Sequence, residues 1–292
     1  MPKNILSILF IFLFLLNSLA YAQEEFSNEL TLKTRTIAAS DVDAQSAGRL
    51  PSGGNIGITE SELNFKHGWK AFGEMPLEFS LDYLHTDIDD ELPELLPTRL
   101  EARRLGLDAK FPLPFTADEH YFMGVTVFAK LNTDDWQWKA SAYRMPFRTY
   151  LIYKQGEDFI LVGGLNIRPG YDTVVLPVLG LIYKPNDKLS FNLASEDPNI
   201  TYKLTDKTTA LWEFDFQFEE YEVTRDGQDG IVLKYNDLST GVGLEHQFTK
   251  NLAAAFTVGS VFGRRLEYKN EDYGKVVPDA GVYVQARVTA DF

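Results

Sequence analysis

Cysteine is missing from all 292 residues, which excludes structural disulfides, thiolate metal sites and a lipid anchor on a cysteine after a cleavage site. An exported chain without disulfides must draw its stability from a large apolar core or from a closed, hydrogen-bonded barrel. Positive charge is also scarce. Lys and Arg number 28 against 42 Asp and Glu, a net charge of −14 that argues against nucleic acid or acidic substrates as partners. The only histidines are His67, His85, His120 and His246, and none stands in a spacing such as His-Glu-x-x-His. No Gly-x-Ser-x-Gly elbow occurs, because Gly259-Ser260-Val261-Phe262-Gly263 has the wrong spacing. The sequence therefore assigns no catalytic residue, no cofactor and no metal site. Beyond the N-terminus it has no apolar run of transmembrane-helix length, and helical spacing is nearly absent.

The chain opens with the features of a secretory leader. Lys3 supplies the positive end, Ile5 to Leu16 is apolar apart from Ser7, and Ala20-Tyr21-Ala22 is a small-x-small site before Gln23. These features predict a signal peptide over residues 1–22, cleaved between Ala22 and Gln23, and a single mature domain over 23–292.

The mature region is dominated by alternation with a period of two, which assigns one set of residues to each face of a strand. Trp212, Phe214, Phe216 and Phe218 alternate with Glu213, Asp215, Gln217 and Glu219. Leu77, Phe79, Leu81 and Tyr83 alternate with Glu78, Ser80 and Asp82, and Leu105, Leu107 and Ala109 with Gly106 and Asp108. Phe147, Thr149 and Leu151 alternate with Arg148 and Tyr150, and Val282 through Phe292 with Tyr283, Gln285 and Arg287. One such strand fits a soluble sandwich as well as a barrel. Short polar turns, such as Gln155 to Asp158 and Thr249 to Asn251, alternate along the chain with longer segments such as Ala38 to Gly54 and Ile88 to Thr98. Outer-membrane barrels alternate short periplasmic turns with long external loops in this way. The expected fold is all-β: a closed antiparallel transmembrane β-barrel of about 14 strands, or 12 if the pair around Asp197-Pro198 is one bent strand and one other pair merges as well. Val174 to Ile182 is apolar on both faces, and the phase slip between Ile58 and Leu63 suggests a bulge. Tyr83, Tyr153, Tyr183, Trp212, Phe248, Tyr268 and Phe292 suit interfacial girdles, and Trp136 and Trp138 fall in an external loop. The acidic stretch Asp87, Asp89, Asp90, Glu91 and Glu94 reads as a solvated loop.

Gly281 through Phe292, with its terminal aromatic, resembles the signal by which bacterial outer-membrane barrels are recognised for assembly. Leu176-Pro177-Val178-Leu179-Gly180-Leu181, Lys184-Pro185-Asn186-Asp187-Lys188 and Pro198 through Leu204 resemble an uncharacterised family of Gram-negative outer-membrane barrels, a domain of unknown function. That resemblance implies the fold, a place in the outer membrane of a Gram-negative bacterium, and outer-membrane lipids and the barrel-assembly machinery as partners. It makes Phe292 the assembly signal and carries over no catalytic residues.

With the polar face inward, Glu78, Asp82, Asp108, Arg148, Glu213, Asp215, Gln217 and Arg287 are the expected lumen-facing residues, beside Lys33, Arg35, Lys154 and Glu219. About 14 strands lies between eight, which side chains fill, and 16 to 18, which leave a channel. Two readings follow. Excess lumen acid in an open barrel makes a narrow, weakly cation-selective passive channel for small ions or solutes. A lumen closed by ion pairs, such as Arg287 with Glu213 or Asp215, makes a non-conducting structural or surface-interaction barrel. A third, a lipid-modifying enzyme, requires a histidine beside a serine or aspartate at the rim.

Overall fold

The computed structural model describes residues 27–45, 54–71, 75–91, 95–113, 120–136, 140–194, 197–225, 227–270 and 273–292. The leader with Ala22 and Gln23, the Pro114 to Glu119 turn, Glu94 and Trp138 lie outside them. Fourteen strands close into one antiparallel barrel. They are β1 (Ser27–Gln45), β2 (Asn55–Ala71), β3 (Met75–Asp90), β4 (Arg99–Pro112) and β5 (Tyr121–Thr133). A second group is short: β6 (Phe147–Gln155), β7 (Phe159–Ile167), β8 (Val175–Tyr183), β9 (Leu189–Asn192) and β10 (Asn199–Lys203). Long strands return in β11 (Thr208–Arg225), β12 (Gln228–Thr249) and β13 (Leu252–Tyr268). The last, β14, runs in two segments, Lys275–Pro278 and Gly281–Asp291, both held between β13 and β1.

Register accounts for the alternation. Arg35 stands opposite Glu60, Asn64 opposite Asp82, Asp82 opposite Arg104 and Thr126 opposite Arg148; continued round the wall, Arg287 stands opposite Lys33 and Gln285 opposite Arg35. The polar set therefore forms one continuous face. The other face exposes Leu105, Leu107, Leu151, Phe216, Val242 and Phe256, the apolar band that a lipid-facing barrel requires. Closure joins the two ends, with the Asn28 Nδ2 amide donating to the Phe292 carbonyl at 2.9 Å and the Phe292 N–H to the Asn28 carbonyl at 3.0 Å.

Three local expectations are revised, the first being that Asp87, Asp89 and Asp90, expected in a solvated loop, lie in β3 and pair with β2. Pairing of β2 with β3 is continuous through residues 58–63, so no bulge lies there; the register shift sits in β1, between Ile37 and Ser40. The apparent phase slip has another cause, because Ile56 and Ile58 point inward whereas Leu63 and Phe65 point to lipid. Tyr268, expected in a girdle, is 2% exposed, and its hydroxyl donates to the Leu95 carbonyl at 2.7 Å.

The barrel is not equally wide along its length. Near its external end β11 leaves the short strands and meets β5, with Glu222 paired in parallel with Thr133. Asn132 Nδ2 reinforces this seam by donating to the Glu219 carboxylate at 3.0 Å and the Glu220 carbonyl at 3.1 Å. Above the seam only β1 to β5 and β11 to β14 form the wall, nine strands. A barrel near eight strands is filled by its own side chains. This one is: Ile56, Ile58, Leu100, Leu233 and Leu266 are buried, and Leu95 from the β3–β4 loop packs among them.

Candidate functional site

The interior below the apolar plug is a layered set of ion pairs, each layer set by strand register. In the upper layer Arg35 on β1 is 1% exposed and touches three carboxylates, Glu60 at 2.6 Å, Asp237 at 3.0 Å and Asp215 at 3.3 Å, with Ser239 at 3.0 Å. The Tyr235 hydroxyl donates to Glu60 at 3.2 Å and Asp237 at 3.1 Å. The contacts of Arg35 with β11 and β12 span strands that are not its neighbours, so they cross the interior. A buried charge is tolerated only when such partners replace its water.

The next layer joins Arg287 to Glu213 at 2.7 Å and to Glu245 at 3.4 Å, while Glu213 also accepts from Thr257 and Gln285. Beside it Lys33 bridges Glu62 and Asp197, both at 3.4 Å. Asp197 lies in the β9–β10 connection and Lys33 on β1, so Asp197 reaches across the lumen. On the opposite wall Asp82 accepts from Asn64 and from Arg104 at 2.7 Å, and Asp108 accepts from Thr126 at 2.6 Å and Tyr150 at 2.7 Å.

The eight residues named from the sequence thus share the inner face by register, but they do not form one site. Glu213 and Arg287 meet directly, and Asp215 meets Arg35. Asp82, Asp108 and Arg148 belong to the wall of β3 to β6, where Arg148 lies 5.5 Å from the Phe128 ring; Glu78 stands lower, opposite Asp108, and Gln217 opposite Asp237. Sequence reasoning missed Glu60, Asp237 and Tyr235, along with the plug itself. Its signal was present in strands whose alternation changes parity, with apolar Ile56 and Ile58 on the face that holds Glu60 and Glu62 below them.

At the external rim the β7–β8 loop is fastened to the outside of the wall. Asp172 pairs with Lys234 and, at 2.7 Å, with Lys269. Hydrogen bonds from Lys234 and Lys269 hold the Asp172 carboxyl below its ordinary value, and Asp172 raises the Lys269 ammonium. Trp136 packs on Tyr83 and beneath the Arg103 guanidinium at 4.1 Å, on the outer face of β3 and β4. Among the described residues no group of three or more His, Asp or Glu is placed to hold a metal ion.

Residues 70–280 match a protein-family model described as a domain of unknown function (DUF6268). The chain belongs to this family. It is similar along most of its length to solved outer-membrane barrels. An outer-membrane channel from Pseudomonas putida F1 is 12% identical with a TM-score of 0.46, covering 94% of this chain and 98% of that one. A Pseudomonas aeruginosa FadL homologue is 13% identical with a TM-score of 0.47, covering 92% and 90%. The KdgM porin is 10% identical with a TM-score of 0.34, covering 90% and 99%. No curated protein matches the chain in sequence.

Proposed function

We propose that this chain is an outer-membrane β-barrel, exported behind a leader cleaved between Ala22 and Gln23, that does not conduct along its axis. The observation that carries this reading is the Arg35 layer beneath a dry apolar plug. A cation-selective pore needs lumen acids in contact with water, whereas Glu60 and Asp237 are 4% and 0% exposed and engaged with Arg35. The Arg287 to Glu213 pair favours the same reading one layer lower. Each buried Leu or Ile of the plug contributes about 1.5–3 kcal/mol relative to lining water, so a spontaneously open axis is disfavoured. Outer-membrane lipids are the partner of the apolar band, and the assembly machinery that of Phe292.

Planar-bilayer recording of the purified barrel tests this. Wild-type protein should show no discrete conductance steps over a range of salt and voltage. Reproducible cation-selective steps would overturn the closed-axis reading and restore the narrow channel.

A further inference from the structure

Two strand edges in the wall face each other without pairing. β8 pairs with β9 only at Ile182 and Tyr183, with one further bond from the Leu193 N–H to the Leu181 carbonyl at 2.7 Å, which leaves Val175 to Leu179 without a strand on that side among the described residues. β11 pairs with β10 only from Thr209 to Glu213 and with β5 only at Glu222, which leaves Asp215 to Tyr221 without a strand partner among the described residues. Side chains cap its upper part, Arg168 donating to the Phe218 carbonyl at 3.0 Å and Asn132 to that of Glu220 at 3.1 Å, so the edge is open at Phe216. The cause is the four- and five-residue length of β9 and β10, with Asp197 before β10 drawn inward onto Lys33. Open edges do not face hydrocarbon, because their N–H and C=O groups would lack partners; they occur where they line a polar path. Apolar side chains flank the edges outside, with Leu179 82% and Phe216 56% exposed, so the break stands at the level of lipid.

The lumen behind the break has two unlike sides. Val162, Leu176 and Val178 share the inward face of β7 and β8. The far side carries the Lys33 and Arg287 layers, in which every cation is already matched by acid. The amide oxygens of Asn166, Asn192 and Gln217, on the strands around the break, are buried with no hydrogen-bond partner among the described residues. Such groups accept hydrogen bonds, which a hydroxyl head can donate and a carboxylate cannot, and Arg148 stands opposite Asn166 on this side.

We propose that the break between β8 and β11 is a side portal admitting a single-chain amphiphile with an uncharged, hydrogen-bond-donating head from the surrounding lipid into the lumen. Its apolar body lies along Val162, Leu176 and Val178, and its head meets the unpartnered amides. The proposal goes beyond the closed-axis reading and is separable from it, since conductance reports the axis and the experiment below reports the wall.

The natural absence of cysteine allows a direct test on folded protein in liposomes. Diazirine-bearing hexadecan-1-ol and diazirine-bearing hexadecanoic acid are photolysed and their adducts mapped by mass spectrometry. The alcohol should label Val162, Leu176 or Val178 several-fold more than the acid does, while both label outward Leu161 and Leu179 alike. A bulky maleimide on a single Gln217→Cys, or on Phe216→Cys should the first fail to fold, should abolish the inward adducts and spare the outward ones. Adducts confined to outward residues, or inward adducts unaffected by the maleimide, would overturn the portal. Equal inward labelling by alcohol and acid would overturn the head-group assignment.

Discussion

Arg35 is the residue on which the interior depends most. It is the buried cation in ion-pair contact with Glu60, Asp237 and Asp215, so truncation leaves three acids without the partner they share. Breaking a buried pair by removing one partner costs about 3–5 kcal/mol, and Arg35→Ala should lower stability by that order, read as a fall in the urea midpoint of the detergent-solubilised barrel. The clasp at Asp172 is the opposite case, an exposed pair that governs a loop rather than the fold. Its carboxyl is held below the ordinary 3.8, so its contribution is present above that value and lost as pH falls through the depressed one. Lys269 is raised above 10.5, so its share is present below that value and lost only at higher pH. Protection of the amides of residues 168–174, relative to their intrinsic exchange rate at each pH, should accordingly fall below about pH 4 and stay level between pH 5 and 9. Asp172→Asn should show fast exchange throughout; an unchanged rate in the variant would mean that the clasp does not hold the loop.

Among the elements, the β5–β11 seam decides the shape. Asn132→Ala removes both of its bonds across the seam, leaving the Glu220 carbonyl without that donor, at a cost of about 1–3 kcal/mol. Hydrogen exchange should rise at Lys130 to Thr133 and Glu219 to Glu222 and stay unchanged in β6 to β8. Close strand packing is tested by two glycines. A Cβ on Gly259 would lie 2.2 Å from the Thr240 carbonyl and 2.5 Å from the Tyr283 ring, whereas one on Gly163 meets nothing within 4 Å. Overpacking should make Gly259→Ala cost about 1–3 kcal/mol, and Gly163→Ala should be near neutral in the same unfolding assay.

For the whole molecule, closure of β14 onto β1 makes the terminal residue structural. Phe292 exchanges backbone hydrogen bonds with Asn28, so its deletion removes the last pair of the closing ladder as well as the expected assembly signal. Deletion should leave protease-sensitive precursor in the periplasm. Heat-modifiable, membrane-inserted protein at the normal level would contradict this role.

Strand identity and the even count were legible in the sequence, because period-two alternation and turn chemistry are local properties of the chain; whether Arg287 meets Glu213 or Asp215 was left open there, and the structure pairs it with Glu213. Alternation says which face a residue takes, but not how many strands surround it at a given height. Ile56 and Ile58 therefore read as a slip, although they fill a nine-stranded neck. Val174 to Ile182 read as ambiguous because an inward apolar face makes sense only once β9 and β10 prove too short to complete the wall. The plug, the Arg35 layer and the break between β8 and β11 arise from contacts among residues up to about 200 positions apart, such as Arg35 with Asp237 at a separation of 202. Only the closed tertiary structure brings those together.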